Sequence, residues 1–179
     1  MTAKKPTIKE LFDTKGKRQL TEVYVGTPKE AAASEAAGLD MIVTSAHNDV
    51  PVFRKAAPNT FFTVGIPHGE ESSADGMIRR AFAEMRRGAD AVYAGGVSME
   101  WVEAMAKQHI AVVGHVGLIP YIATWTGGFK AVGKTADEAL KLYQRIKDYE
   151  NAGAIAIELE CVPDRVAAEL TRRTKMIVL

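Results

Sequence analysis

Cysteine is nearly absent from this sequence. Cys161 stands alone, so no disulfide can form within the chain, and a reducing cytoplasm is the simplest setting. Long apolar runs are missing too. None approaches the ~18 residues that a membrane span requires. The opening MTAKKPTIKE carries no apolar signal core. Charge of one sign is also lacking: 23 basic residues against 22 acidic ones leave a net charge of +1. That balance gives no reason to expect nucleic acid or a membrane surface as partner. No Gly-x-Gly-x-x-Gly follows the first apolar run, which removes the main support for a dinucleotide fold. What remains is an ordinary globular mixture, 47% hydrophobic and 25% charged over 179 residues. It is enough for one domain over 1–179 with a sizeable core.

Short apolar runs alternate with helical patterns. The runs are 20–25, 40–46, 60–66, 90–96, 110–118, 154–160 and 175–179. Each is too short for a helix and is rich in β-branched or aromatic residues, so each is expected to be a strand. Thr27-Pro28 with Glu30 supplies a helix start, and Gly38 a stop. Thr135 with Glu138 is a capping box for a long helix ending at Gly153. Helices are also expected over 75–87 and 98–108, and Pro163 suits another first turn. Strands alternating with helices imply a parallel sheet. It can be an open doubly wound sheet or most of a (β/α)8 barrel.

Polar residues gather where the strands end. Ser45 to Asp49, Pro67 to Glu70, Tyr93, His115 and Glu160 all lie at or just past a carboxyl end. A barrel builds its site there, so the expected class is α/β, of (β/α)8 TIM-barrel type. Only about seven strands are present, where a whole barrel takes ~250 residues and at least ~200. The fold is therefore expected to be incomplete at the C-terminus. The chain is either a fragment or covers its open edge by self-association, since unpaired apolar edges are sticky.

In AIAIELECVP, alternation sends Glu158 and Glu160 to one face with Ala154 and Ala156. A carboxylate there is expensive unless it is paired, hydrogen-bonded or metal-bound. Glu160, nearer the strand end, is the candidate base. Glu158, expected one layer deeper, reads better as a structural acid. His115 shares a face with Ala111 and Val113 and lies between Gly114 and Gly117. Those glycines are expected to clear space for a ligand. The plainer readings are a salt-bridged acid for Glu160 and a satisfied core histidine for His115.

Three motifs in register carry a resemblance: GHVGLIP at 114–120, GGFKAVG at 127–133 and ECVP at 160–163. They resemble the ketopantoate hydroxymethyltransferase (3-methyl-2-oxobutanoate hydroxymethyltransferase) family, which has a (β/α)8 barrel of the phosphoenolpyruvate mutase and isocitrate lyase superfamily. The match is close over 110–163 and collinear but weaker over 7–109. It implies aldol-type transfer of a hydroxymethyl group from methylene-tetrahydrofolate to a small 2-oxo acid, usually with magnesium, in a homo-oligomeric cytoplasmic enzyme of pantothenate biosynthesis. It matches Glu160 to the base, His115 to a substrate-contacting histidine, and the segment with Gly128 and Lys130 to a glycine-rich loop near the substrate. Ser45 and Tyr93, at strand ends, are the further substrate-binding candidates.

The first half departs from the family. Its Asp-Ser-Leu-Gly is met by TSAHNDV, with the aspartate falling near Ala46. Its Ala-Asp-Met-Pro-Phe becomes Val64 to His68, with Gly65 at the aspartate. Its Lys-Leu-Glu-Gly-Gly becomes Tyr93-Ala94-Gly95-Gly96. Magnesium takes hard oxygen ligands, and the usual ones are absent. His47, Asp49 and His68, with Glu70, are candidates for a replacement site suited to a softer metal such as zinc, or else are solvated loop residues. The losses leave two alternatives open: a superfamily lyase or hydrolase acting on another carbonyl acid without folate, and a non-catalytic ligand-binding relative.

Overall fold

A computed structural model describes residues 4–179, so the first three residues of the N-terminal stretch read for a signal core lie outside it. The chain forms two compact units, one ending at Tyr93 and the other running from Ala94 to Leu179.

The first unit opens with α1 (Ile8–Asp13), started by a Thr7–Glu10 capping box. Then come β1 (Glu22–Tyr24), α2 (Pro28–Ala36), β2 (Met41–Ser45), α3 (Val50–Ala56), β3 (Phe61–Gly65), α4 (Ala74–Arg87) and β4 (Ala91–Tyr93). The strands pair in chain order and in parallel, β1 with β2, β2 with β3 and β3 with β4. Thr27 caps α2 as expected, with its hydroxyl on the Glu30 N–H and the Glu30 carboxylate on the Thr27 N–H. Alternation divides each strand. Ile42, Phe62 and Val64 pack with Ala31 of α2 and with Val50 and Phe53 of α3. Full burial of each large side chain contributes about 1.5–3 kcal/mol. The opposite face carries Met41, Val43 and Ser45, then Phe61, Thr63 and Gly65, then Ala91 and Tyr93.

α3 was not foreseen. It is seven residues long, carries Pro51 in its first turn, and its N-cap Asp49 makes no side-chain capping bond. Its start therefore lacks the usual signature. β4 is shorter than the apolar run 90–96 that predicts it, because Gly96 turns into the left-handed region (φ +78°).

The second unit holds α5 (Met99–Lys107), β5 (Val112–Gly117), a 3-10 segment (Pro120–Thr126), α6 (Ala136–Asn151), β6 (Ala156–Glu160), α7 (Asp164–Arg172) and β7 (Ile177–Val178). β5 pairs with β6 and β6 with β7, again in parallel. The Thr135–Glu138 capping box starts α6 as expected. α6 lays Tyr149 and Ile146, both fully buried, into the core of this unit. The 3-10 segment leaves Tyr121, Trp125 and, just beyond it, Phe129 exposed.

Candidate active site

The second unit joins the two motifs that stand farthest apart in its sequence. The β5–β6 register sets His115 beside Glu158 and Gly117 beside Glu160. Paired residues of parallel strands project to the same face, so the two glutamates straddle the imidazole. His115 Nε2 lies 3.1 Å from Glu160 Oε2, and Nδ1 lies 3.9 Å from Glu158 Oε2. The histidine side chain is 2% exposed, whereas those of Glu158 and Glu160 are 44% and 33% exposed. A buried imidazole thus sits between two carboxylates that water still reaches. The order of depth is the reverse of the one expected, since Glu158 is the more open of the two. Partial hydration removes most of the cost of placing two acids on one strand face.

The glycines beside His115 do something other than clear space for a ligand. A Cβ on Gly114 would stand 2.4 Å from Cε1 and 2.5 Å from Cδ1 of Tyr149, so Gly114 makes room for the aromatic ring of α6. Gly117 has φ +98°, and a Cβ there would lie 2.2 Å from the Glu160 carbonyl oxygen. Its left-handed backbone lets the chain leave β5 while Leu118 N–H donates to that same carbonyl at 2.9 Å. Gly117 thus lets the β5 and β6 strand ends close up beside the His115–Glu160 pair, while Gly114 seats α6 against β5. Gly128 and Lys130 lie on a turn with φ +98° at Gly128, where Gly128 N–H donates to the Ala123 carbonyl. Lys130 Nζ folds back to 3.3 Å from the point where Gly127 would carry a Cβ.

In the first unit, three strand ends form one row. Register aligns Ser45 with Gly65 and Gly65 with Tyr93. Ser45 Oγ accepts from the His47 backbone N–H at 3.2 Å. The expected metal candidates do not converge. His47 Nε2 contacts the Glu70 carboxylate, which also lies 3.4 Å from Arg80. Asp49 and His68 are exposed. Among the described residues no group of three or more His, Cys, Asp or Glu side chains is placed to hold a metal ion. The loop geometry explains why: Arg80 takes up the acid that a metal would need.

One cluster escaped the sequence reading. Glu84 of α4 is 2% exposed and is paired with Arg80 at 2.9 Å and Arg87 at 2.7 Å. Arg87 goes on to donate to the Asn48 carbonyl at 2.9 Å and the Ala46 carbonyl at 3.4 Å. The i−4 and i+3 spacing of the two arginines around Glu84 was available as a signal. It reads as an exposed helix face until Glu84 is seen to be buried.

A family model for ketopantoate hydroxymethyltransferase matches residues 29–179. The chain belongs to this family. It is similar to the 3-methyl-2-oxobutanoate hydroxymethyltransferase of Geobacillus sp. (strain WCH70), 36% identical over 167 residues that cover 80% of this chain and 60% of that protein. It is similar to that of Thermus thermophilus, 32% identical over 190 residues, 93% of this chain and 72% of that one. The chain spans about three-fifths of the length of the first of these relatives. Among solved structures it is similar to phosphonopyruvate hydrolase complexed with oxalate and Mg2+ (TM-score 0.69, 16% identical, covering 97% of this chain and 71% of that one). It is also similar to 2,3-dimethylmalate lyase (TM-score 0.66, 13% identical, covering 94% and 69%). These likenesses are of fold, and they bear out the expected α/β (β/α)8-barrel type, incomplete here with seven strands.

The donors present do not fit the hard-cation site implied for the family. Ala46, near which the family's first aspartate falls, carries no side-chain oxygen. The Thr44 hydroxyl is already engaged, donating to the Val25 carbonyl at 2.7 Å and accepting from Asn48 at 2.8 Å. Gly65 and Gly95 offer no side-chain oxygen. Among the described residues no helix is long and apolar enough to cross a membrane.

Proposed function

We propose that this chain catalyses the aldol-type step of its family, attaching a hydroxymethyl group to the carbon beside the ketone of a small 2-oxo acid. The observation that carries the reading is the His115–Glu160 pair, 3.1 Å apart within the region that matches the family. Glu160 is the base. Its carboxylate takes the proton from the carbon next to the carbonyl, and the C–H electron pair moves into an enolate. His115, buried behind the carboxylate and 3.1 Å from it, holds it in place. One water replaces the two carbon–nitrogen bonds of methylene-tetrahydrofolate, which leaves as tetrahydrofolate; the enolate carbon bonds to the released one-carbon unit at the formaldehyde level, and the resulting alkoxide takes up the proton that Glu160 removed. Water provides the hydroxyl oxygen, so no oxidant or reductant is needed. Gly128 and Lys130 flank the substrate on the glycine-rich turn. No step is routed through a metal, because the donor set does not fit one.

A cytoplasmic homo-oligomer belongs to the same reading. Trp125 and Phe129 are 87% and 77% exposed, apolar area that association would cover. Light scattering measures that directly. The activity itself is tested by incubating the chain with 3-methyl-2-oxobutanoate and methylene-tetrahydrofolate and following the hydroxymethylated acid by NMR. Product formation supports the transferase. Cleavage of the oxo acid without folate consumption would replace it with a lyase.

A further inference from the structure

We propose that Lys130 binds the carboxylate of the 2-oxo acid and so makes the site selective for acids over uncharged ketones. The inference rests on the 2-oxo acid reading above and assigns the substrate group that Lys130 holds.

The need for a cation follows from charge. A 2-oxo acid is an anion at neutral pH, and the base that meets it, Glu160, is itself a carboxylate. Two like charges brought together oppose binding. A cation beside both offsets the repulsion, and the lysine ammonium is a compact point charge on a flexible stem.

The turn that carries Lys130 is fastened to the strand end that carries Glu160. Val132 N–H donates to the Cys161 carbonyl at 3.0 Å, and Cys161 follows Glu160 directly. Gly133 closes the same junction. It has φ +85°, and a Cβ there would lie 2.6 Å from Leu142 Cδ1 and 3.5 Å from Val162 Cγ1. The turn therefore packs against the segment just past Glu160. Lys130 is two residues from Val132, a chain distance of at most ~7 Å, which the four-carbon stem of a lysine can span.

Lys130 is also uncommitted. Lys107 and Lys147 are paired with Glu103 and Glu150, and Arg172 and Arg173 with Glu169. Lys130 makes no hydrogen bond or ion pair among the described residues. Its charge reaches Glu138. Hydrogen bonds from the Lys134 and Thr135 N–H groups hold that carboxyl below its ordinary range, and Lys130 adds a smaller effect in the same direction. The Glu138 carboxylate is engaged in starting α6. Lys130 Nζ instead folds back over its own turn, 3.3 Å from the point where Gly127 would carry a Cβ. Gly127 has φ +82°, so the backbone needs glycine there, and the missing side chain leaves the ammonium room. An exposed cation thus stands on a turn tied to the end of β6, open to an incoming anion.

The test uses the whole chain. 3-Methyl-2-oxobutanoate is titrated calorimetrically into wild type, Lys130→Met and Lys130→Arg. Exchange of the proton beside the ketone is followed by NMR in D2O for this acid and for its methyl ester, which keeps the reacting carbon and lacks the charge. Lys130→Met should bind the acid about tenfold more weakly, the low end for a hydrogen bond to a charged group. Lys130→Arg should stay within about threefold of wild type. In exchange, the loss in Lys130→Met should fall mostly on KM, and the preference for acid over ester in kcat/KM should drop about tenfold. The side chain is exposed, so the melting temperature should not change. An affinity of Lys130→Met within about twofold of wild type, or an equal loss for acid and ester, would overturn the proposal and leave the transferase reading standing. Binding that depends on Lys130 without any proton exchange would uphold the carboxylate site and overturn the base. A wild-type chain that binds no oxo acid would overturn both.

Discussion

Gly114→Ala separates a glycine that serves packing from one that serves a ligand. The added methyl would lie 2.4, 2.5 and 2.9 Å from three carbons of the Tyr149 ring. Tyr149 is fully buried, and its ring stacks under the Arg145 guanidinium 5.1 Å away, so it has no easy retreat. Overpacking of this kind costs about 1–3 kcal/mol. Replacing glycine by alanine in a strand returns roughly 0.5–1 kcal/mol of backbone entropy. The net loss is then about 1–2 kcal/mol. At ~2–4 °C per kcal/mol for a chain of this size, thermal melts should show a drop of about 2–8 °C. Tyr149→Leu in the same background should recover much of it, because the branched side chain vacates the ring's space. It also removes a buried hydroxyl that lacks a hydrogen-bond partner among the described residues. A double-mutant cycle by urea denaturation should give a favourable coupling of about 1 kcal/mol or more. A Gly114→Ala protein as stable as wild type but unable to bind 2-oxo acid would refute the packing account and return Gly114 to the ligand.

Two further outcomes follow from single residues. Thr63→Val replaces a buried hydroxyl that has no hydrogen-bond partner among the described residues by an isosteric methyl, so equilibrium denaturation should show unchanged or higher stability, by up to about 1 kcal/mol; a clear loss would mean the hydroxyl is satisfied. Arg18 donates to both oxygens of Asp40 at 2.6 and 2.8 Å, and this bond, with help from Thr21, holds the Asp40 carboxyl below its ordinary range against the opposing effect of burial. A depressed pKa contributes stability above the unfolded value of ~3.9, and that contribution is lost as pH falls through the lower folded value. The stability gap between wild type and Asp40→Asn should therefore be full at pH 7 and close as pH falls below the ordinary carboxylate range; a gap independent of pH would remove the ion pair as its source.

Periodicity and caps made most of the fold legible. Seven β-branched runs mark seven strands to within a few residues, and Thr27 and Thr135 announce their helices because a capping box is a local signal. α3 stayed hidden because Pro51 and an uncapped Asp49 give a short helix no such signal. At the site, parity along one strand sufficed to put Glu158 and Glu160 on the same face, and a matching inward parity along β5 brought His115 beside them. Depth was not legible. It depends on how far water reaches the end of β6, which alternation does not encode, so Glu158 proved more open than Glu160. The role of Gly114 was hidden for a related reason: its neighbour, Tyr149, is 35 residues away on a helix packed behind the strand. Likewise Glu84 looks like one charge among several on α4, and only burial shows it to be the anchor for Arg80 and Arg87.

In the proposed function Glu160 is the base that removes the proton beside the ketone. Proton NMR of 3-methyl-2-oxobutanoate in D2O reads this step alone, before any one-carbon donor is added. The wild-type chain should exchange the proton on the carbon next to the carbonyl. Glu160→Gln, which keeps the size and the half-exposed position of the side chain, should retain the fold and lose exchange by about 10²-fold or more, the range for a positioned general base. Glu158→Gln, whose oxygen stands 3.9 Å from the imidazole, should keep most of it. Exchange by Glu160→Gln at the wild-type rate would contradict the assignment.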